Sequence, residues 1–273
     1  MYTTDIGRKF IDLYNEKSGS SLSSEIFFED NFFPLFFNSE DHLHLMHVHS
    51  SSFFQKISPK DQTPGISVPD FKKKRLMDNI NDIVNKVRDV SGSEGVGYMA
   101  GSPQGTTAGQ ISNIRLNLKK ATLLNSWFGG ALGVGFGGGY NLLFQEPEIN
   151  WFISQGWKYY RKYLNETPRM KGRQIETWNG IWLLYGLKFR NDPQRAYKEV
   201  KFYITSHLSE DNKIINIVRP EWLRQIVSLA NVYGEGEGKP LLVNGYKFAS
   251  RNESLGFLYL KLPEVRKLNE IYD

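Results

Sequence analysis

The chain contains no cysteine. That absence excludes disulfides, thiolate nucleophiles and cysteine-ligated zinc or iron–sulfur centres within it. The opening stretch, MYTTDIGRKFIDLYNEKSG, also lacks the apolar run and small-residue cleavage site of a secretory signal, because charges are scattered through it. A reducing intracellular compartment such as the cytoplasm is therefore the expectation. Strongly apolar runs are missing as well. Residues 126–144, SWFGGALGVGFGGGYNLLF, carry no charge over 19 residues, and Gly129, Gly133 and Gly137 repeat at the spacing of a helix-dimer motif. Their glycine content leaves them too weakly apolar for a spanning helix, so no membrane partner is expected.

Aromatic residues, by contrast, are abundant. With 18 Phe, 14 Tyr and 6 Trp among 273 residues and a hydrophobic content of 40%, the chain has ample material for a core. Its length fits one large domain or two subdomains, at about 100–200 residues per domain. Composition divides it into an N-terminal helical and glycine-rich region, 1–145, and a basic, aromatic α+β region, 146–273. No internal repeat is visible. The expected fold class is α+β, with mixed helices and short antiparallel strands.

Local patterns supply the elements. Ile6, Phe10, Leu13 and Tyr14 define one face of a helix over 4–17, and Gly19 lies beyond its end. A second helix follows the serines at 20–24 and holds six Phe over 27–37, with Pro34 expected to kink or stop it. Residues 58–69 read as a polar connection. Leu76, Ile80, Ile83, Val84 and Val87 form a helical stripe over 70–90, with Asp70 placed to cap it. Residues 91–110 read as loops around a short strand at 96–100, and a helix or strand pair follows over 111–128. A helix starting near Pro147 has Glu146 and Glu148 at its mouth and Lys158, Arg161 and Lys162 in its last turns, as the helix dipole favours. Strands are expected at 200–205 and 214–218. The next helix carries Pro220 in its first turn and ends before Gly234. Asn244 and Gly245 between apolar flanks predict a tight hairpin turn, because such a turn needs positive φ at both central residues. A closing strand, LGFLYLKL, and a short helix opened by Pro263 complete the reading.

Charge is concentrated in one place. Residues 157–203 hold eleven Lys or Arg against four Asp or Glu, and eleven Trp, Tyr or Phe, so their net charge exceeds the +5 of the whole chain. Dense cations attract polyanions, and flat rings among them offer faces to unpaired bases. Arg161, Arg169, Lys171, Arg173, Arg190 and Arg195 are the candidate phosphate contacts, and Trp157, Tyr160, Trp178 and Trp182 the candidate stacking rings. Lys72, Lys73, Lys74 and Arg75 sit in first turns, where the dipole disfavours cations. They either extend the phosphate track or form a solvated turn. The spacing of Trp178, Trp182 and Tyr185 is also that of a helix face packed in a core.

Three further patterns bear on chemistry. Gly133, Gly135 and Gly138 match GxGxxG, but neither a clean strand before nor a helix after supports a dinucleotide site, and a close backbone approach explains them better. His42, His44, His47 and His49 offer at most one metal-binding pair on a strand, without a carboxylate at a recognised offset. Glu199 and Lys201, with Glu176 or Asp192 upstream, give the acid–x–Lys arrangement of a Mg²⁺-dependent nuclease of restriction-enzyme type. The same spacing recurs at Asp70 and Lys72, Asp211 and Lys213, and Glu237 and Lys239, so it is not specific.

The leading expectation is an intracellular DNA- or RNA-binding protein, a non-catalytic subunit of a nucleoprotein assembly. The alternatives are the nuclease, with Mg²⁺ as its cofactor, and a small-molecule or sugar-binding protein lined by aromatic and glycine residues.

Overall fold

The computed structural model describes residues 2–38, 65–85, 119–167, 170, 174–206, 208–211, 214–233, 240–247 and 253–262. The histidines at 42–49, the loops at 91–110, the strand expected at 96–100 and the helix expected after Pro263 lie outside them. Chain contacts divide the protein into Met1–Ala131 and Leu132–Asp273, which assigns the glycine-rich run after Ala131 to the second unit. The described elements are α+β, with a four-stranded antiparallel sheet, a separate hairpin and a majority of helix. None of the described helices is long and apolar enough to cross a membrane.

The first unit is helical. Helix α1 (Tyr2–Ser18) buries Ile6 and Phe10, as its periodicity predicts. The phenylalanine-rich stretch forms α2 (Ser24–Phe27), a π turn (Phe28–Phe32) and α3 (Phe33–Phe36) without a break. Ser23 caps α2 by accepting from the Ile26 N–H at 3.2 Å. Pro34 does not stop the helix. The wider turn before it absorbs the hydrogen bond proline cannot donate and the bulk of its ring. The rings then interlock: Phe32 stacks on Phe36 with centroids 4.2 Å apart, and Phe27 meets Phe128 edge-on at 5.0 Å.

Helix α4 (Val68–Asn85) buries Leu76 and Ile80 on the expected stripe. Its cap is Ser67 rather than Asp70. The Ser67 hydroxyl accepts from the Asp70 N–H at 3.3 Å and donates to the Asp70 carboxylate at 2.5 Å. Helix α5 (Lys120–Ala131) closes the unit against α1, and there the backbones touch. A Cβ on Gly7 would stand 1.9 Å from the Asn125 carbonyl oxygen, and one on Gly129 would stand 1.9 Å from that of Thr3. The small residues read from sequence as a possible dimer motif therefore serve, at Gly129, a contact within the chain.

The second unit is built around one helix. Helix α8 (Ile175–Lys188) is buried on every side except near its end, as a helix without a polar face must be. Against it pack α6 (Pro147–Gln155), α7 (Trp157–Glu166), α9 (Pro193–Ser206), α10 (Trp222–Tyr233) and strand β1 (Val134–Phe136). The single helix expected from Pro147 is two helices. It breaks at Gly156, where a Cβ would fall 2.6 Å from the Trp182 ring, so the indole occupies the space a side chain would need.

The expectation of a strand at 200–205 is corrected: these residues belong to α9. Ala196, Tyr197, Val200, Tyr203 and Ile204 are buried at helical spacing, a period hidden by their β-favouring side chains. Strand β2 (Tyr140–Phe144) follows β1 through a 3₁₀ turn at Gly137–Gly139. Strands β3 (Leu208–Asp211) and β4 (Ile214–Ile217) form the separate hairpin. Pro220 precedes α10 rather than standing in its first turn. Strand β5 (Leu241–Lys247) passes straight through Asn244 and Gly245, so the predicted turn is also corrected. Both flanks pair with neighbours, β2 on one side and β6 (Glu253–Leu260) on the other, instead of with each other. The sheet order is β1-β2-β5-β6, all antiparallel.

Candidate nucleic-acid interface and the buried Glu176 cluster

The four candidate stacking rings of the basic segment are inside. Trp178 is fully buried, with its indole N–H donating to the Gly156 carbonyl at 2.9 Å, and the Trp182 N–H donates to Phe152 at 3.1 Å. Tyr160 and Trp157 are buried too, and the Tyr160 hydroxyl accepts from the Gln174 N–H at 3.1 Å. None of these four rings presents a face to a ligand, which corrects the stacking role expected of Trp178. Spacing showed that they share helix faces. It could not show that those faces all point inward.

The cations separate into groups. Arg161 turns inward: both terminal guanidinium nitrogens are buried, and burial pulls its pKa down to about 10. It is thus not available as the surface phosphate clamp expected from sequence. Arg169, Lys171 and Arg173 lie outside the described residues. In the first unit Lys73 pairs with Glu29 at 3.1 Å, Lys72 and Arg75 are half-buried and Lys74 is exposed. Four consecutive helical residues point in four directions, so they do not form a single track.

The remaining cations share a surface. Lys158 and Lys162 are exposed one turn apart on α7. On α9, Arg195 and Lys198 lie opposite the buried side of the helix. Lys188 and Arg190, exposed at and just beyond the end of α8, adjoin them, because the Phe189 ring carries Arg195 at 4.5 Å and Lys188 at 5.5 Å. Helices α7 and α9 are neighbours. The Tyr159 and Tyr197 rings lie 5.3 Å apart, and Glu166 accepts from the Tyr197 hydroxyl and from Lys201, both at 2.9 Å. These partners, Lys201 first and Tyr197 second, hold the Glu166 carboxyl below its ordinary pKa.

The proposed catalytic group is dispersed. Asp192 caps α9, its carboxylate accepting from the Arg195 N–H at 3.0 Å. Lys201 is engaged with Glu166 across helices. Glu199 and Lys201, two residues apart on a helix instead of a strand, diverge by about 200°. Glu176 sits in the core. Among the described residues no three His, Asp or Glu side chains gather as a metal would need. Because the capping bond fixes the start of α9, Asp192→Ala is expected to lower stability by about 1 kcal/mol, read from chemical unfolding.

Around Glu176 lies a polar cluster that the sequence did not single out as a group. The first turn of α8 meets the glycine hairpin so closely that a Cβ on Gly135 would be 3.1 Å from the Glu176 carbonyl, and one on Gly180 would be 2.3 Å from the Gly135 oxygen. The buried amides of Asn141, Asn179 and Gln225 surround this contact. Asn179 donates to Gly133 at 2.8 Å and Gln225 to Gly135 at 3.1 Å, while Arg219 reaches the Tyr140 carbonyl at 2.9 Å and the Asn141 side-chain oxygen at 3.1 Å. Burial raises the Glu176 pKa from 4.5 to about 7, against smaller opposing pulls from a hydrogen bond to its own backbone and then from Arg219. Of the glycines at GxGxxG spacing, Gly135 thus makes the close backbone approach, and no helix N-terminus follows Gly138 to receive a pyrophosphate.

No protein-family model, curated protein or solved structure matches the chain.

Proposed function

We propose that the protein binds nucleic acid through phosphate contacts from the outer faces of α7 and α9 and the end of α8, acting as a binding subunit of a nucleoprotein assembly without chemistry of its own. One observation carries this reading. Lys158, Lys162, Lys188, Arg190, Arg195 and Lys198 are all exposed on packed neighbouring elements, over a core that fixes their positions. The acids among them are Glu166, Asp192 and Glu199, and the first two are engaged in a cross-helix bond and a helix cap. Positive charge is therefore in excess on this surface, and a polyanion is the ligand that such a surface attracts.

The test is a titration of labelled DNA and RNA oligonucleotides at two salt concentrations in EDTA. Replacing Lys158, Arg195 and Lys198 together by Ala is expected to weaken binding of every sequence alike and to reduce the salt slope by about 2 to 3, at 0.7–0.9 per phosphate contact. Unchanged affinity and slope overturn the assignment. Adding Mg²⁺ to the same samples distinguishes the nuclease, for which metal-dependent cleavage is the signature.

A further inference from the structure

Of the aromatic rings of the basic segment, Phe202 stands out as exposed, while Tyr185 and Phe189 are half-buried and the others buried. Phe202 is 72% exposed, in contrast to the buried tryptophans on α7 and α8. It lies near the middle of the solvent side of α9, because the buried residues Ala196, Tyr197, Val200, Tyr203 and Ile204 occupy the opposite arc. Arg195 and Lys198, seven and four residues earlier, fall within about 60° of one another and of Phe202 around the helix axis. The two exposed cations of its own helix thus stand on the N-terminal side of the ring, along the same face. Lys198 stands about 6 Å and Arg195 about 10 Å toward the helix N-terminus, at 1.5 Å per residue.

A solvent-facing phenylalanine contributes little to the fold from this position. Nor is its chemistry that of a duplex backbone, which presents phosphates and sugars while its base faces are stacked away. A ring beside cations matches a strand whose bases are unpaired, since every base has a face to stack and every nucleotide a phosphate to pair.

We propose that Phe202 is a stacking platform for an unpaired base, which makes single-stranded nucleic acid the ligand of this surface. This rests on the phosphate-binding reading of α7 and α9 and adds strandedness to it. Stacking is sequence-tolerant, so the platform accepts any base, while Arg195 and Lys198 hold the phosphates on one side of the stacked nucleotide.

The experiment measures oligothymidine and a mixed-sequence duplex against wild type, Phe202→Ala, Phe202→Trp and the Lys158, Arg195, Lys198 triple alanine variant, with helicity checked by circular dichroism. Phe202→Ala is expected to weaken oligothymidine binding about tenfold or more, with the salt slope and duplex affinity unchanged. Phe202→Trp is expected to restore affinity and to show quenching of its fluorescence on binding. If Phe202→Ala binds oligothymidine like wild type while the triple variant is weakened, the basic surface stands and the stacking platform is overturned; a protein partner for the ring would give this same result. An equal loss on duplex and single strand also overturns it, because the ring would then not be reading unpaired bases. If wild type binds neither ligand, the parent reading fails and this one with it.

Discussion

Gly129→Ala is expected to lower the stability of the first unit by at least about 3 kcal/mol, with Gly7→Ala matching it, because overpacking a well-filled contact costs about 1–3 kcal/mol even where side chains can yield. Here the obstacle cannot rotate away. Each new methyl would stand 1.9 Å from a carbonyl oxygen of the facing helix, so α1 and α5 must separate along their length. Separation would loosen the ring packing beside this junction, where Phe10 of α1 meets Phe27 and Phe27 meets Phe128 of α5. Alanine gains at most about 1 kcal/mol in helix propensity over glycine, too little to offset this. Urea unfolding followed by near-ultraviolet circular dichroism reads the effect as an earlier transition. Gly137→Ala is the control, since the nearest atom to its Cβ would be 3.9 Å away, and its midpoint is expected to stay within about 0.5 kcal/mol of wild type.

The second large effect depends on pH. Between 4.5 and about 7, folded Glu176 retains a proton that the unfolded chain has released, so stability contributed at this site falls as pH rises through that window and levels off above it. Glu176→Gln keeps the shape and removes the titration. It is expected to leave stability nearly unchanged near pH 4 and to raise it at pH 8 by up to about 3 kcal/mol, at 1.36 kcal/mol per pKa unit. Paired denaturation curves at the two pH values make the measurement. Equal shifts at both would mean that the carboxyl does not titrate differently in the folded protein. The variant also bears on function. A buried acid with a raised pKa is a feature of catalytic sites, but this one lies among amide side chains and hairpin glycines, where a packing role accounts for it.

How far the sequence could be read depended on how many elements each residue had to satisfy. The stripe on α1, Leu76 and Ile80 on α4, and the core-facing spacing of Trp178 and Trp182 on α8 were legible because one periodicity decides one helix face. Val200 to Tyr203 misled because β-favouring side chains also serve a helix whose buried face needs bulk. Asn244 and Gly245 misled for a different reason. A turn signal is local, yet β5 sits between β2 and β6, and pairing on both sides holds it extended, with Asn244 buried and accepting from Gln145 at 2.8 Å.

The site divides in the same way. Sequence alone determined the excess of cations over residues 157–203, the absence of thiol chemistry and the amphipathic faces, because these follow from composition and spacing. Only the tertiary structure decided that Trp178 is core and Phe202 is surface, that Arg161 turns inward, and that Glu199 and Lys201 part company. The physical reason is that exposure is not a property of a residue or of its helix. It is set by whatever else packs there, and α8, enclosed by four helices and a strand, draws the tryptophans into the core while α9, packed on one side, leaves a single phenylalanine beside its arginine and lysines.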